Sequence, residues 1–111
     1  MKLPNGDRAI LDVRKLTEYC LNPDHPRGQH KARVFYSILG LSKADSGFLQ
    51  QRLLEGATTL DCIELNHDNF GKRYQIDIDL AFRGKSAVIR SLWIIKLDED
   101  FPRFVTCFIK G

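Results

Sequence analysis

The sequence predicts an α+β domain, with about three N-terminal helices packed on one face of a four-stranded antiparallel sheet. Up to Gly56 the apolar residues recur at helical spacing, and beyond it they alternate with a period of two. Phe82-Arg83-Gly84-Lys85 reads as a hairpin connection inside the second half, which points to a meander of neighbouring strands. At 111 residues the chain is expected to form a single domain, 1–111, around one hydrophobic core.

Residues 1–11 read as an extended lead-in with a turn at Pro4-Asn5-Gly6. Asp12 is a candidate N-cap for a first helix carrying Val13, Leu16, Tyr19 and Cys20 on one side. That helix should end at Asn22-Pro23, because a residue before proline avoids the helical region. A loop with two prolines follows, Pro23 to Gly28. A second helix is expected from Gln29 to Leu39, with Ala32, Phe35, Ile38 and Leu39 facing inward and Gly40 as its stop. Ser42-Lys43-Ala44-Asp45 reads as a capping box opening a third helix that runs to Glu55 and ends at Gly56. Strands are then expected near 59–65, 73–80, 87–96 and 103–109, with a loop at Asn66–Gly71 and an acidic turn at Asp98–Pro102.

Charge is unevenly placed. Residues 1–56 hold nine Lys/Arg and six Asp/Glu, whereas residues 57–111 hold eight of each. Within the first half, His25 to Arg33 contains Arg27, Lys31, Arg33 and two histidines with no acid, a pattern that suggests one anion-facing site. Cys20, Cys62 and Cys107 have no CxxC spacing and an odd count, so buried free thiols are expected rather than disulfides or a zinc centre. There is no Gly-rich phosphate loop, HExxH or GxSxG, and the three histidines do not specify a metal site. No cofactor and no metal ligand are therefore expected. The chain has no apolar run of 18 residues and no signal-peptide core at Met1–Gly6, so no membrane association and a cytoplasmic location are expected.

His30 and Lys31 fall in the first turn of the second helix, where free N–H groups attract an anion and a cation is misplaced for helix stability. The imidazole of His30 suits proton exchange near neutral pH, and Lys31 or Arg33 suits a phosphate. Arg90 interrupts a strand that should be central and needs a partner, either Asp77 or an anionic substrate. Thr106 adds a hydroxyl on the same meander, Arg73-Tyr74 begins a strand beside Gly71, and Trp93 reads as core.

Leu21 through Phe35 with its HPxGxHKAxxF core, Gly71-Lys72-Arg73-Tyr74, Arg90 through Ile95 and Pro102 through Cys107 resemble an uncharacterised bacterial domain family. Its members occur as short free-standing proteins and at the ends of phage head-morphogenesis-like and toxin-like proteins. The layout is similar to the barnase–EndoU–colicin–RelE ribonuclease toxins, a likeness of fold that does not by itself carry function. What the resemblance implies is a metal-independent endoribonuclease of toxin type. The catalytic candidates are His30, Lys31, Arg90 and Thr106; the substrate-binding candidates are His25, Arg27, Arg33, Arg73 and Tyr74. The expected partners are RNA and a cognate antitoxin or immunity protein. Gln29 stands where the resemblance leads one to expect Arg or another polar residue, and no acidic residue sits beside His30 to act as a general base. The competing reading is a non-catalytic binding module, an antitoxin, immunity-like or other interaction partner.

Overall fold

A computed structural model describes all residues, 1–111. The sheet has four antiparallel strands in sequence order: β1 (Ile63–Asp68), β2 (Gly71–Phe82), β3 (Lys85–Lys96) and β4 (Arg103–Ile109). Two α-helices, α1 (Gln29–Leu39) and α2 (Ser46–Thr59), and a π-helical turn at Leu16–Cys20 pack against β2, β3 and β4. The α+β reading and the order of helices before strands are correct.

Period-two alternation builds the core. Tyr74, Ile76, Ile78 and Leu80 on β2 face inward beside Trp93, Ser91 and Ile89 on β3. On β4 a register shift opposite Leu92 and Trp93 lets Phe104 and Cys107, three residues apart, both face inward. Phe35 and Leu39 from α1 and Leu49, Leu53 and Ala57 from α2 close over them. Trp93 is fully buried, edge-on to Phe104. Its indole N–H donates to the Ser91 hydroxyl at 2.9 Å, and that hydroxyl donates to the Ile76 carbonyl at 2.9 Å. The β2–β3 turn places Arg83 and Gly84 at φ 49° and 83°, the left-handed pair that a two-residue hairpin needs. Gly40 ends α1 at φ 74°, and Ser42 and Asp45 form the expected capping box ahead of α2.

Several local expectations fail, among them the inward placing of Ile38, which is 44% exposed on α1 while Ala32, Phe35 and Leu39 are buried. The first helix, expected from Asp12 to Asn22, is short and widens into a π turn at Leu16–Cys20, closed by a Leu21 N–H to Leu16 carbonyl bond of 2.8 Å. The wider turn lets Leu16, Cys20 and Leu21 all face the core. Gly56 does not stop α2, which continues to Thr59. A Cβ at Gly56 would lie 2.7 Å from Ile78 Cδ1, so this glycine lets the helix approach β2 closely. Consequently β1 begins at Ile63 rather than Thr59, and the expected 66–71 loop shrinks to a turn at Asn69-Phe70, where Asp68 Oδ1 accepts the Phe70 N–H at 2.9 Å. No helix is long and apolar enough to cross a membrane.

Candidate functional site

Lys31 leaves the first turn of α1 and reaches the edge strand β4. Its ammonium donates to Thr106 Oγ1 at 2.8 Å and lies over the rings of Tyr19 and Phe108, 4.9 and 5.7 Å from their centroids. The mismatch with the helix dipole is thus resolved by projecting the charge away from the helix onto a hydroxyl and two aromatic faces. Thr106 Oγ1 also lies 3.7 Å from Cys20 Sγ. Because Thr106 accepts from Lys31, its own proton is free for the sulfur, and the three groups form a chain from ammonium to hydroxyl to thiol. Cys20 and Cys107 are both buried and unbridged. The hydrogen bond from Cys107, with smaller help from Thr106 and Lys31, draws the Cys20 thiol down to about 6 despite burial. Cys107 moves well up in response.

The 21–28 loop brings His25 to the same place. Its ring stacks on Tyr19 at 4.9 Å with 6° between the planes. His25 Nδ1 accepts the N–H groups of Arg27 and Gly28, each at 3.0 Å, so the ring proton resides on Nε2. His25, Tyr19, Lys15, Glu18, Asp12 and Arg14 border an open cleft of about 420 Å³. Within it Arg14 is neutralised by Asp12, whose carboxyl is lowered to about 2 by Arg14's hydrogen bonds. Gly28 explains the glycine of the motif: a Cβ there would sit 2.2 Å from the Tyr19 carbonyl oxygen.

Cations outside any ion pair occur in two places, at Lys72, Arg83, Lys85 and Lys96 on the sheet and around α1. Arg8, Arg52, Arg73, Arg90 and Arg103 each meet a carboxylate, as do Lys2 and Lys110. Lys15, Arg27, Lys31, Arg33 and Lys43, on the α1 side, form no ion pair. Lys15 instead donates to the Phe104 carbonyl, and Arg33 to the Gln29 amide oxygen.

Of the candidates, Lys31 and Thr106 meet directly and His25 joins them through Tyr19. His30 is exposed on the first turn of α1, one residue from Lys31, and Arg27 is exposed in the loop. Arg90 does not join the group. It lies on the face opposite the helices and binds Asp77 through two hydrogen bonds of 2.9 and 3.0 Å, while its neighbour across the strands is Phe108. Arg73 is paired with Asp68 near the start of β2, two strands across the sheet from β4, and Tyr74, 3% exposed, is a core residue with no surface for a substrate. Tyr19, Cys20 and Phe108 complete the site without having been singled out. Tyr19 carried only an apolar-stripe signal, Cys20 that and its reading as a buried free thiol, and nothing local marks Phe108.

Among solved structures, the fold is similar to a chain of the contact-dependent growth inhibition toxin–immunity protein complex from Klebsiella pneumoniae 342. The TM-score is 0.70 at 16% identity, over 91% of this chain and 99% of that one. At that identity the likeness is one of fold. No curated protein matches the sequence. Residues 2–111 match the family described as domain of unknown function DUF6883, and the chain belongs to that family.

Proposed function

We propose that this protein is a toxin-type ribonuclease that cleaves RNA by transesterification without a metal ion. The observation that carries the reading is the 2.8 Å contact of Lys31 with Thr106, in a region where Lys15, Arg27 and Arg33 form no ion pair. In the reaction a ribose 2′-hydroxyl attacks the adjacent phosphorus and loses its proton to a base. The P–O5′ bond breaks, O5′ takes up a proton, and a 2′,3′-cyclic phosphate remains. Lys31 and the Thr106 hydroxyl stabilise the charge that builds on the non-bridging oxygens. His25, fixed by two backbone donors with its proton on Nε2, donates to a phosphate oxygen rather than accepting a proton. His30 has both ring nitrogens free and carries the proton transfer. Arg27 and Arg33 hold flanking phosphates. Purified protein incubated with total RNA should yield fragments ending in 2′,3′-cyclic phosphate, and should leave single-stranded DNA intact. Cleavage of both polymers, or of neither, contradicts this mechanism.

A second reading has one observation behind it: the structural neighbour comes from a complex of two proteins. In that reading the chain is the non-catalytic member and its basic face docks an acidic partner. Protection of cells from a co-expressed toxin, with no RNA cleavage of its own, would establish it.

A further inference from the structure

The 21–28 loop borders two cavities, because the consecutive residues Asp24 and His25 line different ones. The cavity on the Asp24 side, about 540 Å³, has Leu21, Ala32 and Leu41 as its buried floor. Its rim holds Tyr36, an aromatic side chain left 65% exposed, and the cations Arg33 and Lys43. Neither cation is in an ion pair. Its size lies within the range of pockets that enclose small ligands.

Each simple occupant leaves part of this lining unused. An apolar ligand leaves two cations uncompensated, and inorganic phosphate leaves the apolar floor and the Tyr36 ring bare. A flat heterocycle carrying a phosphate uses all of it: the base lies on the floor and against Tyr36, the phosphate meets Arg33 and Lys43, and Asp24 accepts an N–H from the base edge. We propose that this groove binds one nucleoside monophosphate unit of an RNA strand. A strand crossing the loop from Asp24 to His25 then presents its next phosphodiester toward Lys31. The groove's place in cleavage rests on the ribonuclease reading; its affinity for a nucleotide does not.

The test is titration of the ¹⁵N-labelled full chain with adenosine 5′-monophosphate, adenosine and ribose 5-phosphate. The nucleotide should shift amides of residues 21–24, 32–36 and 41–43 in a saturable way, and adenosine and ribose 5-phosphate should each bind about tenfold more weakly. Tyr36→Ala, at an exposed position, should weaken the nucleotide about tenfold with the fold retained, and Arg33→Ala should act in the same direction. Equal affinity for ribose 5-phosphate, nucleotide shifts away from the groove, or indifference to Tyr36→Ala each overturns the site. Nucleotide binding in the groove without RNA cleavage keeps the site and removes the ribonuclease reading. Cleavage without nucleotide binding removes the site alone.

Discussion

Gly28→Ala isolates what the motif glycine does. Its backbone, at φ −87° and ψ −14°, suits any residue. Chain entropy alone would make alanine stabilising by about 0.4–1 kcal/mol. The added Cβ, however, would stand 2.2 Å from the Tyr19 carbonyl oxygen and 2.9 Å from its carbon. Both are backbone atoms of the π turn, so no side-chain rotation relieves the overlap. Forcing one extra methyl into packed surroundings costs about 1–3 kcal/mol, and an immovable neighbour places this case at the upper end. The net expectation is a loss of about 2 kcal/mol. Gly47→Ala in α2 is the control: nothing lies within 4 Å of its Cβ, so it should gain about 0.5 kcal/mol. Urea unfolding followed by fluorescence of the buried Trp93 reads both variants. A Gly28→Ala midpoint at or above wild type refutes the packing argument.

Three further outcomes follow from the same geometry. The Asp77 carboxyl is lowered chiefly by its hydrogen bond from Arg90, so its stabilisation is complete above the ordinary aspartate range near pH 4 and is lost as pH falls below it; melting temperature should drop less between pH 5 and 2.5 in Asp77→Asn than in wild type. Ser91→Ala orphans the Trp93 indole N–H in the core and should cost about 1–3 kcal/mol, measured by urea unfolding. With Cys20, Cys62 and Cys107 all unbridged, dithiothreitol should leave the melting temperature unchanged, and a fall of several degrees would reveal a disulfide.

Legibility followed locality. The α1 boundaries, the Gly40 stop, the Ser42–Asp45 capping box and the β4 span depend on near-neighbour chemistry, and the sequence shows all of them. Asp77 as the partner of Arg90 was likewise readable from strand alternation. The end of α2 was not, because Gly56 reads locally as a helix stop, whereas its use is the approach to Ile78 from a distant strand. The site divides in the same way. Lys31 was visible as a misplaced cation at a helix start and Thr106 only as an ordinary strand hydroxyl, and their contact spans 75 residues and needs the tertiary fold. Tyr19 belonged to an ordinary apolar stripe until the π turn set it between His25 and Lys31.

The central claim is that Lys31 and His30 carry RNA cleavage, and the direct measurement is cleavage of total RNA in EDTA by wild type, His30→Ala and Lys31→Ala, with folding verified by circular dichroism. Loss of the proton-transfer group should lower the rate about 10²–10⁴-fold in folded His30→Ala, and Lys31→Ala should fall comparably through the lost charge on the phosphate. Wild-type cleavage that vanishes in EDTA, or undiminished cleavage by either folded variant, contradicts the account.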